Sequence, residues 1–438
     1  MRAAAPETPC LAFLEALPVA ERWQRARDWI ARAPRPFFAQ LRARRTALDC
    51  GAAILVAGRA EVEEILSLPQ VFSVALYKPK MGEFMLALDG TEVNYRDKAV
   101  MRAVLSLRDL PAIRALAGAE TDAALDAGLD QGLHQGLHQG GGSIDVVASV
   151  SRRVPLRIVQ RFFGFAAPDA DLLRWSYANQ FDQFNNLPFD ERPDADAIHA
   201  AADLARQEMR AAFARIIPAR VAAIEAGADL PDDVLTRLLR LHLPAATGFG
   251  MDRVVINVGG LLIGAIETTS EAVVHALAEL LGRPQILAAA RAAARTGPAA
   301  FDGYVWEALR FAPIVAFMFR QAETDHVLGR GSPAESRIAK GRVVLPLSLS
   351  AMFDATGVPD PDRFDPARPE QTYLHFGRGH HECLGRYVAG AMVPEIVRRI
   401  LLRDAVRAEG AVEDGGTPFP TAFRISCAGR PAGAAGPG

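Results

Sequence analysis

Apolar positions recur along most of the chain at the three- and four-residue spacing of a helix. Ala, Leu and Arg, all good helix formers, fill much of the rest. The pattern predicts a helix over 37–44, after the Pro34-Arg35-Pro36 break, then a short apolar strand over Ala53–Val56 and a helix through Glu61–Leu66. Further helices are expected over 95–107, 110–129, 144–163, 169–177, 195–225 and 231–241. The longest should run from about Asp252 to Leu281, about 45 Å at 1.5 Å per residue, with Gly282-Arg283-Pro284 as its stop. After a helix over 303–311 the character changes. Val327-Leu328, 342–349 and 419–425 read as strands, 354–368 as a Pro/Asp-rich meander, and 384–402 as a last helix bent at Pro394.

These elements predict a mainly α fold with a minor β portion. No long linker divides the chain, so 37–428 reads as a single domain behind an N-terminal extension (1–36), with a disordered Gly/Ala/Pro tail (429–438). The stretch 131–142 carries two Gln-Gly-Leu-His copies and three consecutive glycines, and is expected to be a surface loop. His134 and His138 are spaced to bind metal on a helix, but the intervening glycines favour the loop.

Composition narrows the function. Over 438 residues, Lys+Arg 49 against Asp+Glu 51 gives a net charge of −2, which disfavours a nucleic-acid binder or a polybasic membrane binder. Four cysteines without C-x-x-C spacing point to a reducing compartment rather than a disulfide scaffold. The first 30 residues lack an uninterrupted apolar stretch for a secretory signal, and the apolar run Val254–Ile266 falls short of the roughly 20 residues a bilayer needs. A cytoplasmic enzyme is expected.

The most informative segment is Phe376-Gly377-Arg378-Gly379-His380-His381-Glu382-Cys383-Leu384-Gly385. Cys383 stands where a loop becomes a helix, so amides at the helix start can stabilise a thiolate. Gly377 and Gly379 permit turns that a side chain forbids, and with Gly385 they let a flat partner approach. Two plainer readings compete: a core cysteine after a glycine-rich turn, and a zinc site from His380, His381 and Cys383. The second lacks a matched ligand pair elsewhere. Glu307 and Arg310 share one helical face and alone would be an ordinary ion pair. In Gly264-Ala265-Ile266-Glu267-Thr268 an acid and an alcohol interrupt an apolar helix. The plain reading has Thr268 bonding back to a carbonyl one turn earlier, with Glu267 in an unrelated ion pair.

The cysteine segment resembles the heme-binding loop of the cytochrome P450 family, F-x-x-G-x-[HR]-x-C-x-G, matched by Phe376, Gly379, His381, Cys383 and Gly385. The soluble bacterial members are the nearest type. The resemblance implies a P450 fold with a long helix over heme b (iron protoporphyrin IX), and Cys383 as the axial ligand of the heme iron. Phe376, Gly377, Gly379, Gly385 and Ala265 would line the cofactor, with His381 and Arg320 holding its propionates, the latter followed by Asp325. Glu307, Arg310 and Arg368 would form a structural network supporting the cysteine loop. Glu267 and Thr268 would be the acid–alcohol pair that delivers protons during dioxygen activation, in a helix distorted at Gly264. By position, Phe181, Phe184, Leu261, Val315, Phe317 and Phe319 would wall the substrate pocket.

Three departures from the family pattern stand out. Val93 and Asp97 replace a common His and Arg near the propionates, with Arg96 or Lys98 as substitutes; Met352-Phe353 replace a polar pair before Asp354; and the stretch between Phe72 and Asp89 is short. The resemblance implies a monomeric oxidoreductase, a monooxygenase inserting one oxygen atom from O2 into a small hydrophobic or aromatic substrate. Its electrons would come from a separate ferredoxin or flavodoxin and an NAD(P)H reductase. Two alternatives remain: a peroxide-using peroxygenase or lipid-hydroperoxide isomerase of the same fold, and a non-catalytic heme-binding or partner-recruiting protein.

Overall fold

Ile54, Leu55 and Val56 are buried in succession, without the alternation of a half-exposed strand, as befits a strand covered on both faces. In this computed structural model, which describes residues 8–134, 142–185 and 187–428, that strand pairs antiparallel with Leu48–Asp49 and parallel with Val343–Pro346. Val343–Pro346 pairs in turn with Arg320–Ala322, and that strand with Phe72–Ser73, both antiparallel. The sheet belongs to the first of two compact units, made of Met1–Tyr95, Leu187–Arg192 and Pro313–Cys383. Its register sets Arg320 beside Val344.

The segment expected as an N-terminal extension contributes helices to this unit. Leu11–Ala16 and Val19–Arg32 bury Leu14, Trp23, Trp29 and Ile30, and Trp29 meets Phe37 edge-on at 5.3 Å.

The second unit takes Arg96–Asn186, Pro193–Ala312 and Leu384–Gly438 and is built almost entirely of helices. At its centre the Glu267–Leu281 helix buries Ala272, Val273, Val274, Ala276, Leu277 and Leu280. It packs on Pro298–Phe311 and on Arg386–Leu401, which carries Pro394 in its interior. Met251–Leu281 taken together is the one stretch among the described residues long and apolar enough to cross a bilayer, and 67% of its most apolar window is buried inside the protein.

Three expectations change. The helix predicted over 144–163 begins as a strand, Gly142–Asp145, then forms a π-helical turn, Val147–Ser151, before the Arg153–Arg161 helix. The cause is a distant partner: Ile144 pairs with Ile425. The loop expected over 131–142 is helical at its start, because the helix from Leu110 continues to His134; residues 135–141, with His138, lie outside the described residues. An Ala-rich helix, Pro284–Thr296, follows the predicted stop at Gly282, restarted by a proline at its first position. The tail expected to be disordered lies outside the described residues.

Candidate active site

Cys383 ends a loop closed by its own backbone. Its amide donates to Phe376 O at 2.9 Å, and the Glu382 amide to Gly379 O at 3.1 Å. The turns need φ of +69° at Gly377 and +74° at Gly379. A Cβ on Gly379 would fall 2.7 Å from Leu66 O, so glycine is required there by space as well as by conformation. The loop presents Cys383 as an exposed thiol, and the last long helix starts three residues later at Arg386. The other cysteines differ. Cys50 and Cys427 are buried; burial pushes the Cys50 thiol up to about 12 and raises that of Cys427. Both are inert core thiols. Among the described residues no group of three or more His, Cys, Asp and Glu is placed to hold a bare metal ion.

In the same unit, His381 Nε2 lies 2.8 Å from Asp89 Oδ1, while Asp89 Oδ2 accepts from the Val74 amide at 2.9 Å. Arg320 is buried, donates Nη1 to Phe319 O at 2.8 Å, and interacts with Tyr77 and with the charge of Asp89. Burial lowers the Arg320 pKa and pushes the Tyr77 hydroxyl up to about 12. Tyr77 stacks on Phe319 with centroids 4.1 Å apart. A buried guanidinium has five donors. One bonds the Phe319 carbonyl and the group faces a tyrosine, which suits a site for an anionic carboxylate. Asp325, expected beside Arg320, instead accepts from the Lys340 amide and serves the 326–338 hairpin.

In the second unit, the predicted long helix breaks. Met251–Ala265 stops, Ile266 takes φ −88° and ψ −65°, and the helix resumes at Glu267. Side chains satisfy the carbonyls at the break: Gln180 Nε2 donates to Ile263 O at 2.5 Å and Thr268 Oγ1 to Gly264 O at 2.6 Å. Gly264 is exposed and Ala265 half-buried, in a helix otherwise mostly in the core. Glu267 is 2% exposed and accepts from Arg152 Nη2 at 2.7 Å. Burial pushes its carboxyl up; Arg152 pulls the other way, and burial prevails.

Comparisons with known proteins place this site in context. The cytochrome P450 family profile matches residues 300–410, which include Glu307, Arg310 and the whole cysteine loop. A protein named cytochrome P450 133B2, from Xylella fastidiosa, is 32% identical over 247 residues, 56% of this chain and 57% of that protein. The cytochrome P450 monooxygenase PikC of Streptomyces venezuelae is 28% identical over 265 residues, 60% of this chain and 56% of that one. The match thus spans little more than half the length of these relatives. Solved structures extend it: cytochrome P450 CYP109Q5 from Chondromyces apiculatus superposes with TM-score 0.73 at 21% identity, covering 92% of this chain and 97% of that one. CYP105P1 in complex with filipin I gives TM-score 0.71 at 26% identity, over 90% and 95%. Over residues 300–410 the chain carries a cytochrome P450 domain, and its fold is that of the solved P450 structures.

As a P450, the chain places the expected residues unevenly. Glu307 and Arg310 form a fully buried bidentate pair, Nε to Oε2 at 2.9 Å and Nη2 to Oε1 at 2.6 Å. Arg368 lies in the other unit and ties the meander together, donating to the carbonyls of Pro359, Asp360 and Arg363. Of the expected pocket walls, Val315 and Phe184 are exposed and Phe317 and Phe181 half-buried. Leu261 is 9% exposed. Phe319 departs from that expectation: it is a core residue, 3% exposed and packed against Tyr77 and Phe189. The helix distortion expected at Gly264 sits at Ile266. The plain hydrogen bonds weighed for Thr268 and Glu267 are both present, to Gly264 O and Arg152.

The departures from the P450 pattern have structural roles. Asp97 is fully buried and accepts from Arg253 Nε and Asn257 Nδ2, each at 2.7 Å, pinning the Glu92–Val104 helix to the Met251–Ala265 helix. Arg96 turns to Asp97 and to Thr247 O; Lys98 is buried. Met352 accepts the Leu374 amide on its sulfur, and Phe353 lies under the Arg35 guanidinium at 4.3 Å. Sequence reasoning missed Asp89, Tyr77, Gln180 and Arg152. None lies in a motif, and only tertiary proximity marks them.

Proposed function

We propose that this P450 is a heme-thiolate monooxygenase, with Cys383 as the axial ligand. The observation that carries this reading is the exposed Cys383 thiol, presented by a loop whose two positive-φ glycines fix its backbone, in a chain whose Cys50 and Cys427 thiols are buried. Heme b supplies the redox chemistry, a thiolate ligand favouring O–O cleavage. The residues present fit it: an exposed cysteine, a side-chain-free approach at Gly377 and Gly379, and a buried arginine able to take a propionate.

The protein's own contributions follow from the donor set. Arg320 and His381 hold the propionates, His381 being oriented by Asp89. Gly264 and Ala265 leave room beside the helix break. Thr268 offers a hydroxyl that can exchange its bond to Gly264 O for one to a ligand. Glu267 holds and releases a proton, its carboxyl pushed up by burial, as suits a general acid. A separate ferredoxin or flavodoxin with an NAD(P)H reductase supplies two electrons, and the substrate is a small hydrophobic or aromatic molecule. A monomer in the cytoplasm completes the reading.

Cys383→Ser tests it. The reduced carbonyl complex of the parent protein should show the red-shifted thiolate band, and the variant should lose it while Cys10, Cys50 and Cys427 variants keep it. A Cys383→Ser protein that retains the band assigns the ligand elsewhere. Turnover driven by NAD(P)H through a surrogate ferredoxin, against turnover driven by peroxide, separates a monooxygenase from a peroxygenase.

A further inference from the structure

We propose that Glu271 and His275 form the proton path that refills Glu267 from solvent. The inference rests on the monooxygenase reading above. Glu267, Glu271 and His275 are spaced i, i+4, i+8 on one helix, so successive side chains lie one turn apart along one stripe. Exposure rises along it: Glu267 is 2% and Glu271 8% exposed, and the His275 side chain 27%. Glu271 Oε1 lies 3.9 Å from His275 Nε2, a small side-chain rotation from a hydrogen bond.

Charge counting gives the stripe its chemistry. The groups facing Glu271 are Glu267 and His275 on its own helix; Arg152, from the segment after the Val147–Ser151 turn, bonds Glu267. Among the described residues the arginine bonds Glu267 and not Glu271, and like charges one turn apart in a low dielectric do not both ionise. Burial and the Glu267 charge hold Glu271 well above the usual carboxylate range, which favours its protonated form. Among the described residues Arg152 bonds Glu267 at Oε1, leaving Oε2 for exchange, and Arg152 Nε is buried without a partner. An orphan donor beside Glu267 marks a place for a water. The Ser151 and Ser270 hydroxyls, 2.8 Å apart, flank the stripe.

Monooxygenation consumes two protons as well as two electrons: RH + O2 + 2e− + 2H+ gives ROH + H2O. In each refilling cycle Glu267 gives up a proton. Glu271 passes its O–H proton to the Glu267 carboxylate. His275 returns a proton to Glu271 from Nε2, and its imidazole takes the replacement from solvent. Electrons come only from the external donor.

The test compares Glu271→Gln and His275→Gln with the parent holoenzyme. Both should keep the thiolate carbonyl band and substrate-induced spectral shift. Glu271→Gln should lower product formation by about 10²-fold, the loss of one positioned proton-transfer group. The reduction of oxygen should divert to hydrogen peroxide, and the solvent isotope effect on turnover should steepen. His275→Gln, at a partly exposed site, should move in the same direction and decides the matter if Glu271→Gln fails to take up heme. In the resting protein, the carboxylic-acid C=O stretch in difference infrared spectra should vanish in Glu271→Gln. Unchanged coupling and isotope effect in both variants would overturn the path while leaving the assignment of Cys383, read from its own band, untouched.

Discussion

Arg152 Nη2 donates to Glu267 Oε1 at 2.7 Å, and this single bond holds a 2%-exposed carboxyl in the core helix. Removing Arg152 strands a carboxyl that burial already pushes up, so it can take a proton rather than stay charged. Arg152→Ala should therefore destabilise by less than the about 3–5 kcal/mol typical of breaking a buried pair. Adding Glu267→Gln, which removes the stranded charge, should restore most of the loss. Denaturant unfolding of the single and double variants measures this. Additive losses would mean that the two side chains are not energetically coupled.

The pH dependence of stability should expose Glu271. Its folded pKa is raised by burial and by Glu267, so the folded state keeps a proton that the unfolded chain releases from about pH 4.3 upward. Stability from this group is complete below that pH and is lost as pH rises toward the folded value. Glu271→Gln should match the parent in acid and become progressively more stable than it toward neutral and alkaline pH. Melting curves that stay parallel across that range would place Glu271 ionised in the native state.

Glu307→Ala should be far more damaging than an average surface change. Both members of the Glu307–Arg310 pair are fully buried and bonded at two points, so the alanine strands a guanidinium at a cost of about 3–5 kcal/mol. Mostly heme-free or insoluble protein is expected, read by heme absorbance per polypeptide and thermal melting. Normal heme occupancy and melting would show that Arg310 finds another anion.

Thr268→Ala tests the hydroxyl at the break. The variant should bind heme and substrate and accept electrons normally, yet product per NAD(P)H should fall and peroxide per NAD(P)H rise, with a loss of about 10²–10⁴-fold in coupled turnover. Peroxide-driven activity, which bypasses oxygen reduction, is the control. Unchanged coupling would move the proposal to the peroxygenase or isomerase alternative.

The local chemistry was legible in the chain. Positive-φ glycines, an exposed cysteine and a Glu–Arg pair three residues apart depend on neighbours a few positions away, and the segment 376–385 and Glu307/Arg310 carry that information in their spacing. Helical periodicity gave Ala195–Glu225 to the residue, because that helix answers to its own apolar stripe. Tertiary structure decided what depends on distant partners. Ile144 joins a strand because Ile425 arrives beside it, Asp97 is buried because Arg253 and Asn257 face it, and the core helix breaks at Ile266, where Gln180 caps the carbonyl of Ile263. Arg152, 115 residues before Glu267, bears no mark in its surroundings; only the packing of two segments in low dielectric turns an acid in a helix into a group poised to hold a proton.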